Sequence, residues 1–509
     1  MTAHHEEVER SYDVPDGTVL PSLSEDDGMS MGQPTELALE AVYFDTTDLA
    51  LAGHGATLRR RTGGDDAGWH LKLRRTGDTR VELRCPLGDD GDTPPAEVLA
   101  PVRAWVRDRT VSPLAVISTR RLQRTLADAG GATVATICDD EVRAQRLVGA
   151  RREMTWREWE VELVDSAEGS EDLLDRVEST LVEAGAARSV APSKLARVVG
   201  DLLPSGAPSD PDRLRGDAAI EDLLAVELRA LRDRVHRHDV RLRAGADDAV
   251  HRMRIAARRT RSALRTFKPL LDADRAERLG SELRWLGQEL AGARDAQVLR
   301  AALLDQVEQQ PAELVLGAVA TRIDDELRAA ESAGRERAIR ALEDERYFRL
   351  LDELDRFVSA PPVVSKAGRS AADVLPRLLQ RDMRRLRHAV RDVHEAGSGD
   401  ERDEALHEAR KKAKRLRYAA ELAVPALGKG ARRLGRRAKR VQQALGDHQD
   451  SVVARERLRE LGVQAYLAGD NGFTYGRMHA LQEQRAADAA RDFEAAWDQM
   501  PAKDLRRWP

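Results

Sequence analysis

The sequence predicts an α+β protein in two parts, a strand-built unit up to about residue 200 and an all-helical unit after it. Three observations predict this: period-two runs confined to the first part, a Pro/Gly/Ser-rich break, and helical Ala/Leu/Arg/Glu patterning from there onward. In order, the strand runs are 7–12, 57–61, 69–74, 81–84, 134–139 and 158–163, with turn-prone Gly63-Gly64-Asp65-Asp66 and Gly88-Asp89-Asp90-Gly91 between several of them. Helices are expected near 95–110 and 170–185. Leu203-Pro204-Ser205-Gly206-Ala207-Pro208-Ser209 reads as a linker by composition, which divides the chain into 1–202, a linker at 203–213 and a helical unit at 214–500. A second break at Ser359-Ala360-Pro361-Pro362 splits the helical unit into 214–358 and 363–500.

Composition narrows the function classes. At 509 residues, 41% hydrophobic and 34% charged, the chain can build more than one core beneath an ionic surface. Aromatics are 4%, which counts against a single-strand nucleic-acid reader built on stacking platforms. Lys and Arg number 83 against 88 Asp and Glu, a formal net charge of −5, so the placement of each sign matters more than the sum. Two cysteines, Cys85 and Cys138, make neither a metal cage nor a disulfide framework and fit a reducing cytoplasm. No stretch approaches the roughly 20 apolar residues of a membrane span, and the N-terminus is unlike a signal peptide.

The strand runs carry charge where an ordinary half-buried strand carries neutral polar groups. Glu7 and Glu9, and Glu158, Glu160 and Glu162, form carboxylate sets; Arg59 and Arg61, and His70, Lys72 and Arg74, form cationic sets. Leu58, Leu71, Leu73, Trp159, Val161 and Leu163 occupy the alternate positions. One arrangement is a sheet with its ionic face in water. The other is a closed barrel with a polar interior, where carboxylates hold Mg²⁺ or Mn²⁺ and cations hold an anionic chain.

In their order along residues 5–200, these runs resemble the CYTH family of triphosphate tunnel metalloenzymes. Glu7-Val8-Glu9 stands where the family opens with Glu-x-Glu-x-Lys, and Tyr43-Phe44-Asp45-Thr46 with Leu58-Arg59-Arg60-Arg61 resembles its arginine-bearing strand pair. Trp69-His70-Leu71-Lys72, Thr119-Arg120-Arg121, Asp139, Glu160-Val161-Glu162 and Pro192-Ser193-Lys194 complete the series. The resemblance implies an antiparallel β-barrel tunnel that hydrolyses triphosphate compounds. It implies catalytic Glu7, Glu9, Glu160 and Glu162, and metal held by these four with Asp139. Arg59, Arg61, Lys72, Arg74, Arg84, Arg121 and Lys194 then bind substrate phosphates. One position departs: the family's lysine after Glu-x-Glu falls on Ser11, while the adjacent Arg10 belongs to the opposite face.

The helical unit contains a duplication. His251-Arg252-Met253-Arg254 and His407-Glu408-Ala409-Arg410 each open a run with further cations four and seven residues beyond the arginine. A second landmark pairs Leu290-Ala291-Gly292-Ala293-Arg294-Asp295 with Leu445-Gly446-Asp447-His448-Gln449-Asp450. The histidines are offset by 407 − 251 = 156 and the closing aspartates by 450 − 295 = 155, which implies a pseudo-twofold helical bundle. At about 100° per residue, Arg254, Arg258, Arg261 and Arg265 form one stripe; Arg410, Lys414 and Arg417 form its counterpart. Like charges at this spacing cost a few tenths of a kcal/mol per pair, and few acidic neighbours relieve them. An anionic polymer would reverse the repulsion. Asp295 and Asp450 are expected to orient arginines.

These residues look like the CHAD domain, a conserved-histidine helical domain that often follows CYTH. The resemblance covers about 215–500 and implies two four-helix halves that bind inorganic polyphosphate, with His251, His407, Lys411, Arg436 and Arg440 joining the two stripes. It also implies recruitment to polyphosphate granules in the cytoplasm. The expected function is therefore polyphosphate binding coupled to a metal-dependent triphosphate or polyphosphate hydrolase, with no specific nucleic-acid or membrane partner. The alternative is a non-catalytic polyphosphate-binding or granule-targeting protein with a degenerate tunnel, a reading that Ser11 favours.

Overall fold

A computed structural model describes residues 3–23, 29–74, 79–88, 92–164, 170–203, 218–246, 248–364 and 368–501. The chain forms two compact units, Met1–Gly206 and Ala207–Pro509. The expected linker at 203–213 lies, beyond its first residue, outside the described residues.

The first unit opens with β1 (Ala3–Asp13), β2 (Met29–Met31), β3 (Thr35–Thr46), the short α1 (Ala50–Gly53), β4 (Ala56–Thr62), β5 (Gly68–Arg74) and β6 (Thr79–Cys85). It continues through α2 (Ala96–Leu99), α3 (Arg103–Val106), β7 (Val111–Asp128), β8 (Thr133–Arg146) and β9 (Arg152–Leu163). It ends with α4 (Ser170–Glu183), β10 (Ala187–Arg188) and α5 (Lys194–Val199). The helix expected near 95–110 is broken: Pro101 lies in a 3₁₀ turn between α2 and α3.

Eight strands close into an antiparallel barrel in the order β1-β6-β5-β4-β3-β7-β8-β9, with β9 pairing back to β1. Closure removes the free edges, so backbone groups along the wall find partners. β2 adds to β7 and β10 adds to β1. Alternation then sorts the side chains. Tyr12, Trp159 and Val161 face outward and pack beneath Leu174, Val177 and Leu181 of α4. Arg10 also faces outward, as its position predicts, and donates to Asp175 (2.7 Å) and Glu178 (2.9 Å) of α4. At one end α5 sets Leu195, Val198 and Val199 against Ala41, Tyr43, Ile117, Val142 and Ala144, which form an apolar plug. The Ser193 hydroxyl caps α5 by accepting from the Ala196 N–H, which fixes Lys194 at its first turn.

The second unit is helical: α6 (Ile220–Arg243), α7 (Ala249–Phe267), α8 (Ala273–Glu289), α9 (Ala291–Glu308), α10 (Val319–Glu343) and α11 (Glu345–Ser359) form its first half. Its second half is α12 (Ala371–Glu395), α13 (Asp400–Leu422), α14 (Val424–Leu467) and α15 (Phe473–Asp498). The junction of α8 and α9 carries the Leu290–Asp295 landmark, whose counterpart lies within the part of α14 after its kink at Gly428, and among the described residues α11 has no equivalent in the second half. The halves exchange a reciprocal pair of backbone bonds at their starts. Ile220 N–H donates to Arg369 O (3.0 Å) and Ala371 N–H donates to Ala218 O (2.9 Å), around a bridge between Ala219 and Ser370. That exchange between equivalent residues is what a local twofold requires. Helices α7 and α13 pack on each other; α7 buries Ala256 and Ala257 and α13 buries Ala409 and Ala413.

Among the described residues, no helix is long and apolar enough to cross a membrane. Both cysteines are buried and neither forms a disulfide.

One packing contact is stringent. A Cβ at Gly334 of α10 would strike the backbone of Gly292 and Ala293 in α9. Gly334→Ala is expected to lower unfolding stability by about 2–3 kcal/mol, read by chemical denaturation followed through the helical circular dichroism signal.

Candidate functional site

Register places the charged alternation of the first unit inside the barrel. A cavity of about 470 Å³ is lined by Glu7, Glu9, Ser11, Arg59, Arg61, Lys72, Arg84, Arg121, Glu160, Glu162 and Lys194, together with Arg80 and Asp66. Leu37, Leu39, Ala41 and Tyr43 of β3 give it one less polar wall.

Two ionic clusters meet there. In the first, Glu82 on β6 accepts from His70 Nδ1 (2.9 Å), lies 3.6 Å from Arg59 and is paired with Arg84. Lys72 Nζ is 2.6 Å from Glu7 Oε2 and 3.5 Å from Glu9 Oε2, and Arg80 pairs with Glu9. In the second, Lys194 Nζ sits 3.0, 2.6 and 2.6 Å from Asp140, Glu158 and Glu160. Arg121 forks onto both oxygens of Asp140 at 2.8 and 2.7 Å and also reaches Glu160. Burial alone would lower the Lys194 ammonium and raise the Glu160 carboxyl. The surrounding opposite charges reverse both, so each stays ionised.

Glu162 is different. It faces the cavity directly opposite Glu9 in the β1–β9 pairing. Burial raises its carboxyl; Lys72 opposes this, and Glu7, Glu160 and Glu82 add to it, leaving it above the usual range. Like charges directly across a strand pair are unfavourable without a cation between them. Glu7 and Glu9 on the facing strand already have Lys72 between them, and Arg80 pairs with Glu9. Oxygens of Asp140, Glu158 and Glu160 also lie within 4.8 Å of one another and could hold a metal ion, but Lys194 already sits at their centre.

Two expected tunnel residues are placed elsewhere. Asp139 points out of the barrel and pairs with Arg157 (2.6 Å), because in β8 it stands opposite the outward Trp159. Its neighbour Asp140, opposite Glu158, is the inward carboxylate. Arg74 has the inward phase but ends β5, where it is exposed and outside the cavity lining. Arg80, Glu82 and Asp140 were missed. Each follows from alternation, Arg80 and Glu82 by counting back from Arg84, and Asp140 once its register against Glu158 is known.

In the helical unit the two stripes converge. Burial and then Arg258, Arg410, Arg254 and Arg417 push the Lys414 ammonium down to about 7, so cations of α7 and α13 crowd one amine. Arg254 donates to Asp295 (2.5 Å) and Arg410 lies 3.9 Å from Asp450, the same aspartate–arginine arrangement in both halves. Arg258 bonds the Tyr418 hydroxyl, and the Arg417 guanidinium stacks 4.6 Å from that ring. Farther along α7, burial with Arg265 and then Arg284 of α8 lowers Arg261 to about 10; Arg284 also lowers Arg265. Arg284 was not expected. His251 is held neutral-leaning by burial and then by Arg294. His407 is half-buried on α13.

Three expected members of this set do not join it. Lys411 is exposed and pairs with Glu408 (2.6 Å) on its own helix, about 100° around from Arg410. The side of α14 that meets α13 is marked by Gly435, Gln442 and Gly446, which touch Ala420, Arg417 and Arg410. Arg436 and Arg440 lie roughly 100–140° around α14 from that line, both are exposed, and Arg440 bonds Gln499 instead.

A closed eight-stranded barrel whose interior matches carboxylates with guanidinium and ammonium groups defines a triphosphate tunnel protein. The CYTH domain matches residues 5–198 and the CHAD domain matches residues 226–459. The chain thus belongs to the family of proteins in which a CYTH domain, of the triphosphate tunnel metalloenzymes, precedes a CHAD domain. Uncharacterised proteins from two strains of Mycobacterium tuberculosis are each 41% identical over 518 residues, covering 97% of this chain and 96% of theirs. Among solved structures, PptA from Streptomyces chartreusis is similar at 25% identity and TM-score 0.48, covering 55% of this chain and all of that one. The CHAD domain from the plant Ricinus communis is similar at 27% identity and TM-score 0.45, covering 57% of this chain and 95% of that one. A Hippeastrum protein described as having a dominant triphosphatase activity is similar at 20% identity and TM-score 0.24, covering 39% and 97%.

Lys414 gives this unit a pH signature. Below about pH 7 the amine is protonated whether folded or unfolded; above it the folded chain releases a proton that the unfolded chain keeps toward 10.5. Stability of the helical unit therefore rises with pH from about 7 upward. The unfolding midpoint is expected to increase from pH 6.5 to pH 8.5 by less in Lys414→Met than in the unaltered chain.

Proposed function

We propose that residues 1–202 form a metal-dependent triphosphate or polyphosphate hydrolase and residues 214–500 an inorganic polyphosphate-binding domain. The observation that carries the first part is the opposition of Glu9 and Glu162 inside a wall that also carries Arg59, Arg61, Lys72 and Arg121. Glu7, Glu9 and Glu162 would hold Mg²⁺ or Mn²⁺; such an ion supplies charge neutralisation on phosphate oxygens and a more acidic water. Arg59, Arg61, Lys72 and Arg121 bind and orient the anionic chain, and phosphoryl transfer asks mainly for that positioning. Glu82 keeps the first cationic group aligned through His70, Arg59 and Arg84. Lys194 keeps Glu158 and Glu160 apart from the reacting phosphates by holding both.

The second part rests on the crowding of Arg254, Arg258, Arg410, Lys414 and Arg417, which Asp295, Asp450 and Glu421 relieve only in part. A polyphosphate chain replaces that repulsion with charged hydrogen bonds worth about 1.5–3 kcal/mol each. Location in the cytoplasm and at polyphosphate granules follows from this reading. A non-catalytic tunnel that only binds is the second reading, and Ser11 favours it, because β1 offers no lysine there.

Two experiments test these assignments. The full chain with tripolyphosphate, ATP or long-chain polyphosphate and each metal is expected to release orthophosphate, and Glu9→Gln and Glu162→Gln to lower the rate at least a hundredfold. Release without added metal, or an unchanged rate in both variants, contradicts the hydrolase; binding without release in every combination selects the second reading. Replacing Arg254 and Arg410 together by Glu is expected to abolish retention on immobilised long-chain polyphosphate in a sample that keeps its helical content.

A further inference from the structure

Lys414 differs from the other lysines of the described chain. Lys72 and Lys194 are held by carboxylates of the barrel, Lys268 by Glu277, and Lys411 and Lys412 both by Glu408. Lys429 and Lys439 are exposed on α14. Lys414 is half-buried, and among the described residues its amine has no ion-pair partner and no hydrogen-bond acceptor. It stands four residues after Arg410 and three before Arg417 on one face of α13. Arg254 and Arg258 act on it from α7, the helix packed against α13. The acids of this region are already engaged: Asp295 by Arg254, and Asp450, which also feels the Lys414 charge, by Arg410 at 3.9 Å.

The guanidinium groups around this amine are incompletely satisfied. The Nε–H groups of Arg258 and Arg410 are buried and meet no acceptor among the described residues. Buried donors of this kind call for a ligand that brings oxygens. Phosphate oxygens suit the guanidinium fork, and a phosphate held there lies beside a primary amine. Burial and then the arginines leave much of that amine unprotonated near pH 7. An unprotonated amine in a cationic, partly dry site is a nucleophile. Its natural electrophile is one that carries a phosphate next to the reacting carbon.

We infer that Lys414 is an acylation site whose donors are acyl phosphates: Arg258 and Arg410 hold the phosphate while the neighbouring amine takes the acyl group. The amine lone pair attacks the carbonyl carbon, and a C–N bond forms as the bond from that carbon to the phosphate oxygen breaks. Orthophosphate leaves with the electron pair and takes up the proton that the nitrogen gives up. The products are an Nε-acyl-lysine and orthophosphate, and nothing is oxidised or reduced. The arginines that recruit the donor also stabilise the charge on the leaving phosphate. This goes beyond polyphosphate binding, because a polymer occupies these cations reversibly, whereas acylation replaces the amine among them by a neutral amide.

The test is incubation of the full chain with acetyl phosphate at pH 7.5, with each lysine followed by peptide mass spectrometry. Lys414 is expected to be acetylated at least tenfold faster than Lys429 and Lys439, despite their greater exposure. With acetic anhydride, which carries no phosphate, that preference is expected to fall at least threefold. Arg258→Gln and Arg410→Gln, made singly, are expected to slow acetylation at Lys414 by acetyl phosphate and to leave Lys429 and Lys439 as internal references. A rate at Lys414 no higher than at Lys429 and Lys439 overturns the inference. The same preference with both donors also overturns it, because the arginines then recruit nothing. Acetylation of Lys414 that saturating long-chain polyphosphate fails to prevent upholds the inference and removes only the polymer-binding reading.

Discussion

Everything in the first unit depends on carboxylates and cations neutralising one another inside a closed wall. A single pair at 4 Å contributes about 4 kcal/mol at an effective dielectric of 20, while each buried ion loses several kcal/mol of hydration. One partner per charge is therefore too few. Glu82 has His70, Arg59 and Arg84, and Lys194 has Asp140, Glu158 and Glu160. The barrel allows this because alternation on eight strands aims every second side chain at a common axis. Such an interior is organised before any ligand arrives, so a phosphate chain finds its donors already placed.

The helical unit solves the opposite problem. Its cations are gathered with few counter-charges on two helices, α7 and α13, that pack on each other and each bury an apolar face in the core. Burial first and then the neighbouring arginines depress the Lys414 ammonium. Asp295 and Asp450 aim Arg254 and Arg410 without cancelling the field of the whole group. The duplication read from the offsets reappears as the reciprocal backbone exchange at Ala219 and Ser370.

The division into a strand unit and a helical unit was legible because period two and period 3.6 leave different marks in sequence. So were Glu7, Glu9, Glu160 and Glu162, since charge on alternate strand positions must face either water or a polar interior. Phase was harder. Asp139 and Asp140 are adjacent acids, and only the register of β8 against β9 says which one turns inward. Arg74 has the correct phase but too little strand beyond it to be enclosed. On the helices, a run such as Arg410-Lys411-Lys412 covers most of a turn, so sequence alone does not say that Lys411 faces away with Glu408. Arg284 belongs to a separate helix and only tertiary packing brings it to Arg261. Arg436 and Arg440 are basic and exposed, but the face of α14 that meets α13 lies elsewhere.

The apolar seat of α5 against Ala41, Tyr43, Ile117, Val142 and Ala144 has a consequence for any guest of the barrel. An anion chain gains nothing by pushing into a greasy floor, so it stops where the charged walls stop. Under the proposed function the chamber would then be a dead end for polyanions, entered terminus first. Lengthening such a guest adds phosphates outside the walls, where they contribute little, and grip should level off once the interior is filled.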